Sequence, residues 1–214
     1  LIQRSYKAGI FDPDRLRGRG VCWDDGRVVL HLGDRLLVDG VETTLEALKT
    51  NYLYQAAVPL SLMPGVPLKS SEAGKLVELC QMLPFTRPYM ALLFAGFIMV
   101  LPLCGGMKHR PHAWLVGDSA SGKSWATNEI VKPILGGIEL EVQSVTSEAG
   151  LRAALRLDAR PVFFDEAEPE SNAARDRMSA VIDLGRVAST EGGAPIIKSN
   201  QQQQVVEYRI NSSL

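Results

Sequence analysis

The stretch "GDSASGKS", Gly117–Ser124, restricts the fold of this chain more than any other segment. Gly117 and Gly122 let the backbone turn so that successive N–H groups point inward, and Asp118, Ser119, Ala120 and Ser121 between them are small. A helix opening at Lys123 completes that nest with its own unpaired N–H groups. Such an array holds phosphate. The spacing G-x-x-x-x-G-K-[ST] carries Lys123 to the β and γ phosphates of a nucleotide and sets the Ser124 hydroxyl where it ligates Mg²⁺. The flanks suit this reading: the apolar run "AWLV", 113–116, predicts a strand before the loop, and a helix is predicted from Lys123 to about Lys132. Trp125 follows the serine directly, where a small residue is more usual. The candidate nucleotide-binding set is Gly117, Asp118, Ser119, Ala120, Ser121, Gly122, Lys123, Ser124 and Trp125.

Nucleotide-bound Mg²⁺ wants a carboxylate, and hydrolysis wants a positioned water. "PVFFDE", Pro161–Glu166, reads as a buried strand ending in two acids, with Asp165 for the metal shell and Glu166 for the attacking water. Alone, a strand ending in Asp-Glu says little; one strand-helix unit after a phosphate loop, it says much more. Glu168 is the alternative base, although two positions further on it reads as solvent-facing or as a cap for the next helix. Between the motifs lie a strand in "IELEV" and a helix in "SEAGLRAAL"; a longer helix follows from about Ser171 to Ala188. Strands alternating with helices of this size predict crossover units: an α/β fold with a parallel sheet covered by helices on both faces.

At 214 residues and 46% hydrophobic, the chain can bury a sizeable core. Its formal charge of -1 supplies no overall basic field, so any nucleic-acid contact must come from a local cluster. Cys22, Cys80 and Cys104 are far apart and the three histidines share no ligand spacing with them, which predicts a reducing, cytoplasmic setting without structural zinc. Nothing resembles a signal peptide, and an opening on Leu1 in place of Met reads as a piece of a longer chain. Residues 89–107 are uncharged and near bilayer-spanning length, but Pro102 and Gly105-Gly106 interrupt them; a buried core helix and no membrane partner are expected. The expected division is an accessory region over 1–108 and a nucleotide-binding core over 109–214. The former holds a β-meander at 21–41, with turns at Asp25-Gly26 and Gly33-Asp34, and helices at about 43–50, 71–83 and 88–103.

With these residues in hand, the sequence resembles the phage and prophage replication ATPases of primase-helicase type, relatives of the superfamily three helicases within the AAA+-like P-loop NTPases. The likeness rests on "LLFAGFIMVLPLCGGMKHRPHAWLVGDSASGKSW", "TSEAGLRAALRLDARPVFFDEAE" and "VASTEGGAPIIKSNQQQQVVEYRINSS". It implies a ring-forming, homo-oligomeric ATPase that moves along single-stranded DNA in a bacterial or phage-infected cytoplasm, with ATP and Mg²⁺. It also implies a polar sensor at the end of the strand after the Asp-Glu pair. In "VVEYRINSSL" that residue is Asn211, Ser212 or Ser213, of which Asn211 is the choice; the core is then truncated after the sensor strand. "APIIK" and "VVEYR" read as a hairpin around a polar turn, where Lys198 would meet DNA phosphate and Asn200 and Gln201 would bond backbone or bases; a polar surface loop is the other reading. Arg186 is the candidate to reach a neighbouring subunit's γ-phosphate, Arg175 and Arg177 read as solvated helix charges, and Lys108–Arg110 as surface charge. A nucleotide-dependent assembly or DNA-loading module with little turnover is the alternative function.

Overall fold

The computed structural model describes residues 12–62, 69–143, 145–165, 171–190, 196–199 and 205–214; of residues 70, 71, 73, 165, 196, 198, 199 and 205–208 it describes the backbone alone. Turn chemistry builds the N-terminal part. Strands β1 (Leu16–Arg17), β2 (Gly20–Asp24), β3 (Arg27–His31), β4 (Arg35–Val38), β5 (Val41–Thr44) and β6 (Leu53–Tyr54) follow one another. Of these, β2 to β5 pair antiparallel in sequence order, while β1 pairs parallel with β6. The Asp24–Arg27 and Val38–Val41 pairs close two-residue loops in which Asp25 and Gly26, then Asp39 and Gly40, all have positive φ (48°, 85°, 49°, 86°). Such turns carry the twist of the strands they join. The helix expected at 43–50 does not form. Thr43 and Thr44 pair with Leu36 and Arg35 in β5, and the Ala47 N–H turns back to the Thr44 carbonyl. Two β-branched residues beside an existing strand gain more from the ladder than from a helix start.

Helix α1 (Ser70–Gln81) precedes α2 (Tyr89–Val100), which tightens into a 3-10 turn (Leu101–Gly106) at Pro102. By length and composition Tyr89–Gly106 would suffice to cross a bilayer. In this fold α2 buries Ala91, Phe94, Ala95 and Ile98 and exposes Leu92, Leu93 and Met99. The next helix, α3, runs as α (Lys123–Trp125), π (Ala126–Val131) and α again (Lys132–Leu135). Pro133 explains the wide turn: it has no N–H to give the carbonyl four residues back, and its ring pushes that carbonyl away. Ala126, Ile130 and Leu135 of α3 join Phe94 and Ile98 of α2 and Leu32 and Leu37 in one hydrophobic cluster. The core therefore runs across the division expected at residue 108.

Strands β7 (Leu140–Gln143) and β8 (Val162–Asp165) pair parallel, from Leu140↔Val162 to Gln143↔Asp165. The crossover is α4 (Glu148–Leu155), whose N-terminus the Ser147 hydroxyl caps by accepting from the Gly150 N–H at 3.1 Å. Helix α5 (Asn172–Ala188) follows, capped likewise by Ser171. Val162 and Phe164 pack on one side with Leu151, Leu155, Leu184 and Ala188, while Phe163 packs on the other with the cluster that holds α2 and α3. This pair thus has helices on both faces. Strands β9 (Ile196–Ser199) and β10 (Val205–Tyr208) form an antiparallel hairpin.

Two expected strands differ. Of "VVEYRINSSL" only Val205–Tyr208 is strand, and it pairs with β9. Residues 113–116 form none, and Trp114, Leu115 and Val116 are exposed. Single hydrogen bonds nevertheless align the segments: Leu140 N donates to Pro161 O (2.8 Å), Val162 N to Ser213 O (2.8 Å) and Ala113 N to Leu214 O (3.2 Å). The lateral order is β7, β8, residues 211–214, residues 110–116.

The meander meets this set at a backbone seam. A Cβ on Gly20 would lie 2.0 Å from the Ala159 carbonyl oxygen, and one on Gly105 2.1 Å from that of Val21, so nothing larger than glycine fits. Arg19 closes the seam on Asp158, its Nε donating to Oδ2 at 2.9 Å and its backbone N–H to Oδ1 at 2.8 Å.

Candidate nucleotide site

Gly122 opens α3 in the left-handed region (φ 88°), two residues after Ala120 in the same region (φ 62°). Ser121 N donates to Asp118 O at 3.2 Å, and Ala126 N to Gly122 O at 2.9 Å, so the loop closes as a turn that feeds directly into the helix. Among the described residues no side chain caps that helix N-terminus. The positive end of the helix dipole lies there, which favours an anion. Gly117 is tight: a Cβ there would meet Ser121 Oγ at 2.7 Å. Lys123 Nζ folds back over the loop and donates to the carbonyl oxygens of Gly117 and Asp118. Ser124 and Trp125 are exposed on the first turn of α3.

Direction along the segments decides what lies near this loop. Arg110 meets Asn211 and Ala113 meets Leu214; Ser212 Oγ donates to Asp158 O at 3.5 Å and Val162 meets Ser213. All of these advance together, so residues 110–116, 211–214 and β8 run the same way. Gly117 and Asp165 leave at one edge. Asn211 sits at the other, level with Arg110 and Asp158. The structure therefore does not bring Asn211 to the loop, and Ser212 and Ser213 are buried on the same low rungs.

Arg110 is the residue that sequence reasoning missed. It is buried, unlike the exposed Lys108 and His109 beside it. Its Nε donates to Cys104 O (2.7 Å), Nη1 to Ala188 O (3.0 Å) and Nη2 to Asn211 Oδ1 (3.1 Å), while its backbone N–H donates to Ser189 O (2.7 Å). One guanidinium ties the turn after α2, the end of α5 and the segment at 211. Three adjacent basic letters carry no signal for this; only the packing singles out the third.

The other sequence candidates are scattered. Arg186 is exposed on α5 and paired with Asp183 at 2.7 Å. Arg177 is half-buried, with Nε out of solvent and lacking a hydrogen-bond partner among the described residues. Lys198 lies in β9, its side chain outside the description; Glu166, Glu168, Asn200 and Gln201 lie outside the described residues. Asp165 ends β8 beside Gln143, with its backbone alone described. Among the described residues no cluster of His, Cys, Asp or Glu could hold a metal by itself. No protein-family model, curated protein or solved structure matches this chain.

Proposed function

We propose that this chain is the ATP-binding and ATP-hydrolysing core of a phage-type replication helicase or primase-helicase, a P-loop NTPase of AAA+ or superfamily three type. The observation that carries the reading is the helix start at Gly122, in the left-handed region, with Lys123 bent back over the loop. Backbone N–H groups of residues 117–124 hold the phosphates of ATP, and the dipole of α3 adds to their attraction. Lys123 exchanges the Gly117 and Asp118 carbonyls for β and γ phosphate oxygens. The Ser124 hydroxyl and the Asp165 carboxylate would hold Mg²⁺, which would supply positive charge against that building on the phosphates. Glu166, next in the chain, takes the proton of the attacking water.

Coupling to single-stranded DNA is supported by the antiparallel pair β9–β10, which flanks the polar sequence at 200–204 and whose β9 includes Lys198. A homo-oligomeric ring in a cytoplasm completes the reading, with Arg186 on the exposed face of α5 as the group offered to a neighbour. The second reading, an assembly or DNA-loading module with little turnover, draws support from the seat of Asn211, whose side-chain oxygen is engaged by Arg110.

ATP turnover, measured with and without single-stranded DNA, tests the proposal. Activity stimulated by DNA and lost in both Lys123→Ala and Glu166→Gln is expected. Turnover indifferent to DNA would sink the translocase reading, and full activity in Glu166→Gln the assignment of the base.

A further inference from the structure

We infer that Pro133 is a positioning residue for the phosphate site: the wide turn that it enforces in α3 sets the rotation at which Lys123 and Ser124 face the loop. This rests on reading residues 117–124 as a triphosphate cradle. A proline has no N–H for the Glu129 carbonyl, four residues back, and its ring crowds that oxygen. The Lys132 N–H reaches back five residues, to the Thr127 carbonyl, and Ala126–Val131 winds as a π turn. Such a turn holds more residues than the α-helix around it, and it recurs at functional sites.

The sides of α3 reveal what the wide turn does. In an unbroken α-helix, at about 100° per residue, Ala126 and Leu135 would point in opposite directions. Both are buried, at 3% and 1% exposure, in the one cluster that also takes Ile130 and Val131. The wide turn brings the two ends of the helix to a common face. Ala126 passes that rotation to the loop: its N–H donates to Gly122 O at 2.9 Å, and Thr127 Oγ1 beside it donates to Lys123 O at 3.2 Å. From there Lys123 Nζ reaches the Asp118 carbonyl at 3.1 Å. Without the proline, the Glu129 carbonyl regains an N–H and α3 relaxes to a regular helix. Ile130, Val131 and Leu135 bury far more apolar surface than the single methyl of Ala126, so they keep their places. The first turn then swings by about 100° and takes Lys123 and Ser124 off the loop.

The test is equilibrium binding of Mg-tripolyphosphate and Mg-ATP to the whole chain, beside its urea midpoint. Pro133→Ala is expected to weaken both ligands about tenfold or more, while the midpoint holds or rises because alanine suits a helix interior better than proline. Deleting the exposed Asn128 from the Pro133→Ala chain takes out the extra residue itself. Ala126, Ile130 and Leu135 then share one face of a regular helix, and affinity returns to within about threefold of wild type. Unchanged affinity in Pro133→Ala, or a loss that comes with a lower urea midpoint, overturns the inference and leaves the cradle standing. So does a doubly altered chain that is folded by circular dichroism yet recovers no affinity. Failure of the cradle has its own signature: tripolyphosphate binding that is absent in wild type, or that persists in Lys123→Ala, removes the nucleotide reading and this inference with it.

Discussion

Gly122 and His31 show how single residues commit this chain. At Gly122 the left-handed φ of 88° lets the loop enter α3 directly, a turn that a larger residue would strain. His31 commits it differently. The imidazole is fully buried, edge-on to Tyr54 at 5.6 Å, and burial holds it below its ordinary value of 6.5, with the backbone of Gly18 and Gly33 opposing without reversing the shift. Because the folded value is the lower one, the unfolded chain binds more protons between the two, so stability is full above pH 6.5 and declines as pH falls below it. Urea midpoints from pH 7.5 to 5.5 should fall more steeply in wild type than in His31→Leu, by at most about 1.4 kcal/mol per pH unit. Equal slopes would show that His31 ionises freely in the fold.

Elements whose identity depends on local chemistry were legible in the sequence. The Asp-Gly turn at 25–26 and the continuous apolar run of β8 each contain their own reason. Those decided by a distant partner were not. Thr43 and Thr44 read as the start of a helix but answer to Leu36 and Arg35 across a ladder. "AWLV" reads as a strand, yet among the described residues Ala113 alone of it finds a backbone partner, and Asn211 reads as a sensor although the direction and rung of its segment depend on Arg110 and Val162. Arg110 carries the energetic weight of that arrangement. Arg110→Met strands the carbonyls of Cys104 and Ala188 in the interior and should cost about 2–4 kcal/mol in chemical denaturation. A loss under about 1 kcal/mol would mean that those groups find other partners. Asn211→Ala, which removes only the third contact, should cost less.

Taken whole, the molecule packs its N-terminal part against the part that carries the candidate loop. The cluster joining Leu32 and Leu37 to Phe94, Ile98 and Ile130, and the glycine seam closed by Arg19 on Asp158, sit behind α3 and at the foot of β8. The loop at 117–124 and the Asp165 end project at the opposite edge. None of this shared packing is written in motifs. It arises because α2 needs a cover for Phe94 and Ile98, and α3 needs one for Ala126 and Ile130. The motifs themselves, by contrast, stand out in one dimension because phosphate binding uses backbone N–H groups from consecutive residues. Everything proposed about function returns to that loop, and equilibrium binding of Mg-ATP to wild type and to Lys123→Ala tests it. Saturable binding weakened about a hundredfold or more by the substitution is the predicted result, the loss of a charge-assisted contact to two phosphates. Binding that is absent in wild type, or equal in the two proteins, would contradict the account.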